Sequence, residues 1–155
     1  MAKHTAEEGS GTDPTCTIRV LSVSPFADDH SVLRNLFRSL LPAQQSGTKW
    51  LLNTAFTLES AIQILHIGEL HKNPVAIVIC DSSLTPGTWK TLLGHIATRT
   101  QPPFMIVTSP HADDYLWIEA LNLGVYDVLR KPFDLIELRR VLAMAAIKWT
   151  HRRGV

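Results

Sequence analysis

Five short apolar runs alternate with helix-period segments along the chain, and this alternation constrains the fold more than any other feature. Three of the runs are rich in Val and Ile and nearly continuous in hydrophobicity, which is typical of strands buried on both faces of a parallel sheet. The pattern predicts an α/β fold: a doubly wound, parallel, five-stranded sheet in a three-layer α/β/α arrangement. The runs are 18–23, 50–55, 75–80, 104–109 and 125–129.

The segments between the runs carry apolar residues at the spacing of an amphipathic helix. Thr57 is a candidate N-cap for the second helix, and Gly124 a candidate stop for the fourth. The last helix is expected to begin at Asp134, with Glu137 completing a capping box. The expected apolar faces are Val32, Leu33, Leu36, Phe37, Leu40 and Leu41; Leu58, Ala61, Ile62 and Leu65; Trp89, Leu92, Leu93 and Ile96; Trp117, Ala120 and Leu121; and Leu135, Leu138, Leu142, Ala145 and Trp149.

Length and composition exclude several classes of protein. A chain of 155 residues is expected to form one domain, and its formal net charge of +1 favours neither nucleic acid nor membrane as a direct partner. Two cysteines, Cys16 and Cys80, are too few for a disulfide framework or a zinc site. No run approaches the roughly 20 apolar residues that span a bilayer, and the N-terminus lacks a signal-peptide pattern. We therefore expect a soluble cytoplasmic protein.

Three parts of the chain are distinguished by composition. Residues 1–16 carry Gly, Ser, Thr, Pro and charge without apolar periodicity, and they are expected to form a flexible N-terminal tail. Residues 17–150 hold the alternating pattern and are expected to form the domain. Residues 151–155 form a short basic C-terminal end, too small to argue for DNA binding.

Polar residues lie at or just after the ends of three of the apolar runs. Asp81 follows the third run, Thr108 lies at the end of the fourth, and Lys131 follows the fifth. Because the carboxyl ends of parallel strands form the binding edge of such a sheet, we expect these side chains to converge. A carboxylate nucleophile with a lysine and a hydroxyl to bind oxygens can perform phosphoryl transfer. A divalent metal would normally offset the negative charge.

Several segments resemble the signatures of the response regulator receiver domain of two-component signalling. The segment LRKPFDLIEL (129–138), preceded by LNLGVYDV, resembles its closing signature; IVICDSSLTPG resembles its phospho-acceptor strand and loop; and MIVTS resembles its switch strand. Their order matches across roughly Ile18 to Thr150. The resemblance implies a flavodoxin-like (βα)5 fold. It also implies that Asp81 is the phospho-acceptor and Thr108 the switch hydroxyl, that Lys131 pairs with the phosphoryl group, and that Pro132 follows a cis peptide bond.

The chain departs from the family pattern at the magnesium site. Receivers carry an acidic pair after the first strand, where Ser24 and Pro25 stand here. Asp28 and Asp29 follow, at the expected start of the first helix, where they could supply metal oxygens with Asp81 or simply form the N-cap and first turn. Mg²⁺ is therefore the one cofactor that the resemblance implies, with Asp28, Asp29 and Asp81 as its candidate ligands.

Other departures concern the switch aromatic and the loop after the acceptor. The family's switch aromatic, three residues before the lysine, is Val128 here, with Tyr126 two positions earlier, and in SSLTPG the proline lies one residue later than usual. His30 is expected to be a solvated helix residue.

The resemblance implies a stand-alone receiver that takes a phosphoryl group on Asp81 from a histidine kinase or phosphotransfer protein. It would signal through a downstream protein on the face between the fourth and fifth helices, where Tyr115 and Trp117 lie, and it could form a homodimer. It would be no enzyme beyond its own phosphorylation and dephosphorylation. The alternatives are a pseudo-receiver that binds proteins without phosphorylation, favoured by Ser24 and Pro25, and a flavodoxin-like cofactor protein, disfavoured by the glycine-free loop SVSPFADD.

Overall fold

Strands and helices alternate throughout the computed structural model, which describes residues 16–39 and 47–154. The strands are β1 (Cys16–Val23), β2 (Thr48–Ala55), β3 (Ile77–Asp81), β4 (Phe104–Ser109) and β5 (Asp127–Arg130). The helices are α1 (Ala27–Ser39), α2 (Leu58–Leu70), α3 (Trp89–Ala97), α4 (Asp114–Asn122) and α5 (Leu135–Arg152).

The strands form one parallel sheet in the order β2-β1-β3-β4-β5. Strand order reverses between β1 and β3, which are neighbours through the register pair Val23 and Cys80. The reversal places the topological switch point at the carboxyl ends of these two strands. The predicted doubly wound, flavodoxin-like fold is confirmed.

A separate apolar core covers each face of the sheet. Because side chains alternate along a strand, Val78 and Cys80 point to one face while Ile77 and Ile79 point to the other. The first face packs against α2, α3 and α4, and the second packs against α1 and α5. Asp81, next in the alternation, belongs to the face covered by α1 and α5.

The helix termini largely follow the predicted capping signals. The Thr57 side chain caps α2, and Gly124, at φ 98°, follows the end of α4 in a conformation that favours glycine. Asp134 caps α5 by accepting from the backbone N–H groups of Ile136 at 3.0 Å and Glu137 at 3.2 Å. The reciprocal bond from the Glu137 side chain, which a capping box requires, is not among the described contacts, so Asp134 caps the helix by itself.

Some residues of the expected apolar faces are exposed. Val32 and Leu135 are 37% and 43% exposed, and Trp117 and Leu121 are 46% and 38% exposed. In α1 the sheet-facing position is taken by His30, which lies one turn before Leu33 on the buried face. The spacing therefore predicted the helices and most of their buried residues correctly, but it did not predict which residues lie at the exposed edges of each buried face.

Element boundaries also differ by a few residues from the apolar runs. Cys16, assigned to the tail, opens β1, and α5 continues to Arg152 through part of the expected basic end. The rest of the predicted tail, residues 1–15, and two residues of the first expected apolar face, Leu40 and Leu41, lie outside the described residues. None of the described helices is both long enough and apolar enough to cross a membrane.

Candidate functional site

Asp81 and Thr108 lie side by side at the carboxyl edge of the sheet. They are register partners on β3 and β4, so their side chains leave the sheet on the same face. Both residues are buried, at 1% and 2% exposure. The backbone N–H of Ser82 donates to the Thr108 carbonyl at 2.8 Å, and that of Ser83 donates to Asp81 Oδ1 at 2.7 Å. These bonds fix the end of β3, the loop that follows it and one oxygen of the Asp81 carboxylate.

Lys131 reaches the same point from the end of β5. Its backbone N–H donates to the Ser109 carbonyl at 3.0 Å, and the bond to Pro132 is cis, as the resemblance implied. Its Nζ forms an ion pair with Asp81 Oδ2, and it lies 4.9 Å from the centre of the Phe26 ring. The structure thus brings together Asp81, Thr108 and Lys131, the three residues that were predicted to converge at the strand ends.

Asp29 joins this group from the first turn of α1. Its Oδ2 accepts from Lys131 Nζ at 2.8 Å and from the Ser24 hydroxyl at 2.6 Å. Asp28, one position earlier, is exposed, and its described contacts include none with Asp81 or Lys131. Of the two candidate carboxylates, Asp29 faces the site. Ser24 supplies no negative charge, but it orients the carboxylate that does.

Lys131 is the positive partner of two carboxylates, the buried Asp81 and the partly buried Asp29. Burial lowers the pKa of Lys131, but the hydrogen bonds and charges of Asp29 and Asp81 outweigh it, and the pKa is raised above its usual 10.5. One ammonium and two carboxylates leave the cluster with one excess negative charge. This excess negative charge favours the binding of a further cation. It repels an incoming phosphoryl group, which therefore needs added positive charge in the site.

The residues fit Mg²⁺ only in part. Asp81 Oδ2 is buried, and its one described polar contact is the ion pair with the Lys131 ammonium. Among residues 16–39 and 47–154, no group of three or more His, Cys, Asp and Glu side chains could hold a metal ion. Mg²⁺ commonly binds through one or two carboxylates plus water and phosphate oxygens. Asp29 and Asp81 could therefore form a weak site of that kind.

His30 holds the loop that carries Ser24, a role that the sequence did not reveal. Its Nε2 donates to the Ser24 carbonyl at 3.0 Å, so in the neutral ring Nδ1 accepts from the Ser22 hydroxyl at 2.9 Å. The imidazole is fully buried. Burial lowers its pKa, more than the bond to Ser24 raises it. The expectation that His30 is solvated is wrong. Its three-residue spacing from Leu33 was the available signal.

The position of the family's switch aromatic holds no ring. Val128 is buried among the side chains beneath α2, α3 and α4. Tyr126, just before β5, packs with the other core and lies against Phe104, with ring centroids 5.2 Å apart. Tyr126 therefore occupies the wrong face of the sheet to replace the missing aromatic.

Comparisons with known proteins agree with this fold. The chain is similar to a signal receiver domain from Vibrio parahaemolyticus (18% identity, TM-score 0.73, covering 88% of this chain and 95% of that one). It is also similar to the receiver domain of an HD domain-containing protein from Pseudomonas fluorescens (25%, 0.71, 88% and 92%) and to NtrX from Brucella abortus (21%, 0.70, 89% and 28%). No curated protein matches the chain.

The family comparison covers most of the domain. The model of the response regulator receiver domain matches residues 26–143, from the loop after β1 into α5. The match includes Asp81, Thr108 and Lys131, and the order of the strands is that of the similar receiver structures. The chain therefore belongs to the response regulator receiver family.

Proposed function

We propose that this chain is a cytoplasmic receiver that accepts a phosphoryl group on Asp81 in a two-component phosphorelay. Receiver domains are in general signalling modules and not enzymes. One observation carries the proposal: a buried carboxylate forms an ion pair with Lys131 and lies next to Thr108, its register partner on the neighbouring strand. This arrangement supplies a nucleophile together with two groups that can bind phosphoryl oxygens.

The transfer begins with a phosphohistidine presented by a histidine kinase or a phosphotransfer protein. An Asp81 oxygen attacks the phosphorus in line and forms an acyl phosphate. The P–N bond breaks, and its electron pair stays on the imidazole nitrogen, which takes up a proton. Lys131 and Thr108 bind the oxygens of the transferred group. A magnesium ion held by Asp29 and Asp81 would offset the charge on these oxygens.

The new phosphoryl oxygens compete with Asp29 for Lys131. An ammonium has three donors, and in the unphosphorylated site it is directed at two carboxylates. Thr108 has no described side-chain hydrogen bond, so it can turn toward the phosphoryl group without breaking one. Movement at the end of β4 would shift the equilibrium between two arrangements of the adjoining α4 surface.

An exposed apolar surface on α4 and α5 is the proposed contact for a downstream protein or a second copy of this chain. Tyr115 is 86% exposed, and Ile136, at the start of α5, is 83% exposed. Large exposed apolar side chains commonly mark protein interfaces, and aromatic residues dominate binding energy there. The other exposed apolar residues of these two helices are Trp117, Ile118, Leu121, Leu135, Met144 and Ile147.

An amide NMR titration tests the proposal, first with magnesium and then with beryllofluoride, a phosphoryl mimic. We expect shifts at Asp81, Thr108 and Lys131 that extend to α4 and vanish in Asp81→Asn. Asp29→Asn should weaken the magnesium response. The exposed neighbour is the matched control, so Asp28→Asn should leave the response unchanged. An unchanged wild-type spectrum under both additions would refute phosphoryl acceptance.

The pseudo-receiver is the second candidate function, and a different observation favours it. Asp29 already binds the Ser24 hydroxyl and Lys131, so the site forms a closed network without a ligand. A protein of this kind would use the α4–α5 surface without phosphorylation. The same titration separates the two functions, because a pseudo-receiver would not respond to beryllofluoride.

A further inference from the structure

A groove lies at the edge of the sheet opposite the acceptor site. It has a volume of about 580 Å³ and passes the amino ends of β4 and β5, the last turn of α3 and the last turns of α5. Phe104, which lines it, pairs with Ile77 at the start of β3, whereas Asp81 ends that strand. The groove is thus separated from Asp81 by the length of β3, and its volume is typical of sites for small molecules.

The floor of the groove is apolar and belongs to the core of the domain. Ile96, Met105 and Val125 contribute side chains that are 2%, 1% and 4% exposed. Phe104 and Tyr126 add two rings with centroids 5.2 Å apart and planes inclined at 58°. Such walls suit the apolar, preferably aromatic, body of a ligand.

Two cations of α5 stand over these rings. Lys148 Nζ lies 4.9 Å from the centre of the Tyr126 ring, and Arg152 Cζ lies 4.3 Å from that of Phe104. Arg152 also donates to the Pro102 carbonyl, which leaves most of its guanidinium donors available. The stacking and the carbonyl bond hold the guanidinium in place beside the groove.

The charge of the groove is unbalanced. No Asp or Glu is among the described residues that line it, and no described salt bridge involves Lys148 or Arg152. The two cations are four residues apart on one helix, a spacing at which like charges repel each other. An anionic group between them would relieve this repulsion and accept charge-assisted hydrogen bonds.

We propose that this groove binds a small organic anion with an apolar body, of the aromatic carboxylate or sulfonate class. The Phe104 and Tyr126 rings and the exposed Leu123 side chain hold the body, while Lys148 and Arg152 bind the acidic group. This site is independent of Asp81, so the proposal does not depend on phosphoryl acceptance. Asp81→Asn is therefore expected to bind such an anion as the wild type does.

Anilinonaphthalene sulfonate is a suitable probe, because it joins an aromatic body to a sulfonate. An amide NMR titration of the whole chain should show saturable shifts at Phe104, Val125 and Tyr126. The double variant Lys148→Gln with Arg152→Gln should lose at least about tenfold in affinity. The matched control is Arg139→Gln with Arg140→Gln, which removes two exposed cations of the same helix outside the groove and should leave affinity unchanged.

A second probe and a second variant keep the proposal refutable. Phenylnaphthylamine has a similar aromatic body without the sulfonate and should bind more weakly than the sulfonate. Lys148 is exposed, so Lys148→Gln alone should fold normally, as its thermal unfolding midpoint would show, and should weaken sulfonate binding. Equal affinity for the two probes, unchanged affinity in a folded Lys148→Gln, or shifts confined to the α4 surface would overturn the proposal.

Discussion

Replacing Lys131 with methionine would leave one buried and one partly buried carboxylate without their cation. The Asp81 side chain is fully buried and that of Asp29 is 14% exposed, so little solvent can compensate. Removing one partner of a buried ion pair costs about 3–5 kcal/mol. Since Asp29 keeps the Ser24 hydroxyl and some solvent, we expect Lys131→Met to lower the free energy of unfolding by about 3 kcal/mol, near the lower limit of this range.

Urea unfolding followed by tryptophan fluorescence measures this loss, because Trp89 and Trp149 are buried and report on both cores. The control is the same substitution in Asp81→Asn, where the more deeply buried carboxylate is already gone. There Lys131→Met should cost only about 1 kcal/mol, the value of an ordinary hydrogen bond. The difference of about 2 kcal/mol between the two losses is the coupling energy of Lys131 and Asp81, and it is the quantity tested. Equal losses in the two backgrounds would refute the assignment of Lys131 as the counter-ion of Asp81.

The pH dependence of the stability lost in Lys131→Met follows from the direction in which the pKa of Lys131 is shifted. Burial lowers the pKa of Lys131, but its two carboxylate partners raise it more, so its folded value lies above 10.5. The stabilisation by the ammonium is therefore fully present below 10.5 and is lost as the pH rises through the folded value. The difference between wild type and Lys131→Met should be constant around neutral pH and shrink only in strong alkali.

Three further predictions concern residues other than Asp81 and Lys131. Burial lowers the pKa of His30 below 6.5, so the contribution of His30 to stability is present above that pH and is lost as the pH falls. In thermal unfolding, the His30→Gln variant should therefore lose less stability on acidification than the wild type does. An identical pH profile of the two proteins would contradict this. Leu142 is fully buried, so Leu142→Ala should cost about 2–5 kcal/mol in urea unfolding. Ile136→Ala, at an exposed position of the same helix, should change stability by less than about 0.5 kcal/mol, and similar losses would contradict the assigned burial. Asp134→Ala should cost about 1 kcal/mol through loss of the α5 cap, which an unchanged midpoint would refute.

The sheet and the three strand-end residues could be predicted because their positions depend on simple periodic rules. A strand buried on both faces needs an apolar run, and a parallel arrangement brings the carboxyl ends of such runs to one edge. Asp81, Thr108 and Lys131 lie at or just after the ends of their runs, so their convergence needs no knowledge of packing. Their chemical roles remain predictions.

The contribution of α1 could not be predicted, because it depends on how the helix is rotated against the sheet. Asp28 and Asp29 are neighbours on a helix and cannot face the same point, yet the sequence pattern does not indicate which of them faces the site. The structure turns Asp29 toward Lys131 and Asp28 toward solvent. The same rotation buries His30 and exposes Val32, both against expectation. Side-chain spacing fixes which residues share a face, but packing decides which face is buried.

Intact-mass spectrometry after incubation with phosphoramidate and magnesium tests the central claim most directly. Phosphoramidate carries the P–N bond of phosphohistidine and needs no partner kinase. The wild type is expected to gain the mass of one phosphoryl group, and a folded Asp81→Asn variant is expected to gain none. A wild-type chain that stays unmodified, or an Asp81→Asn variant that is modified to the same extent, would contradict phosphoryl acceptance on Asp81.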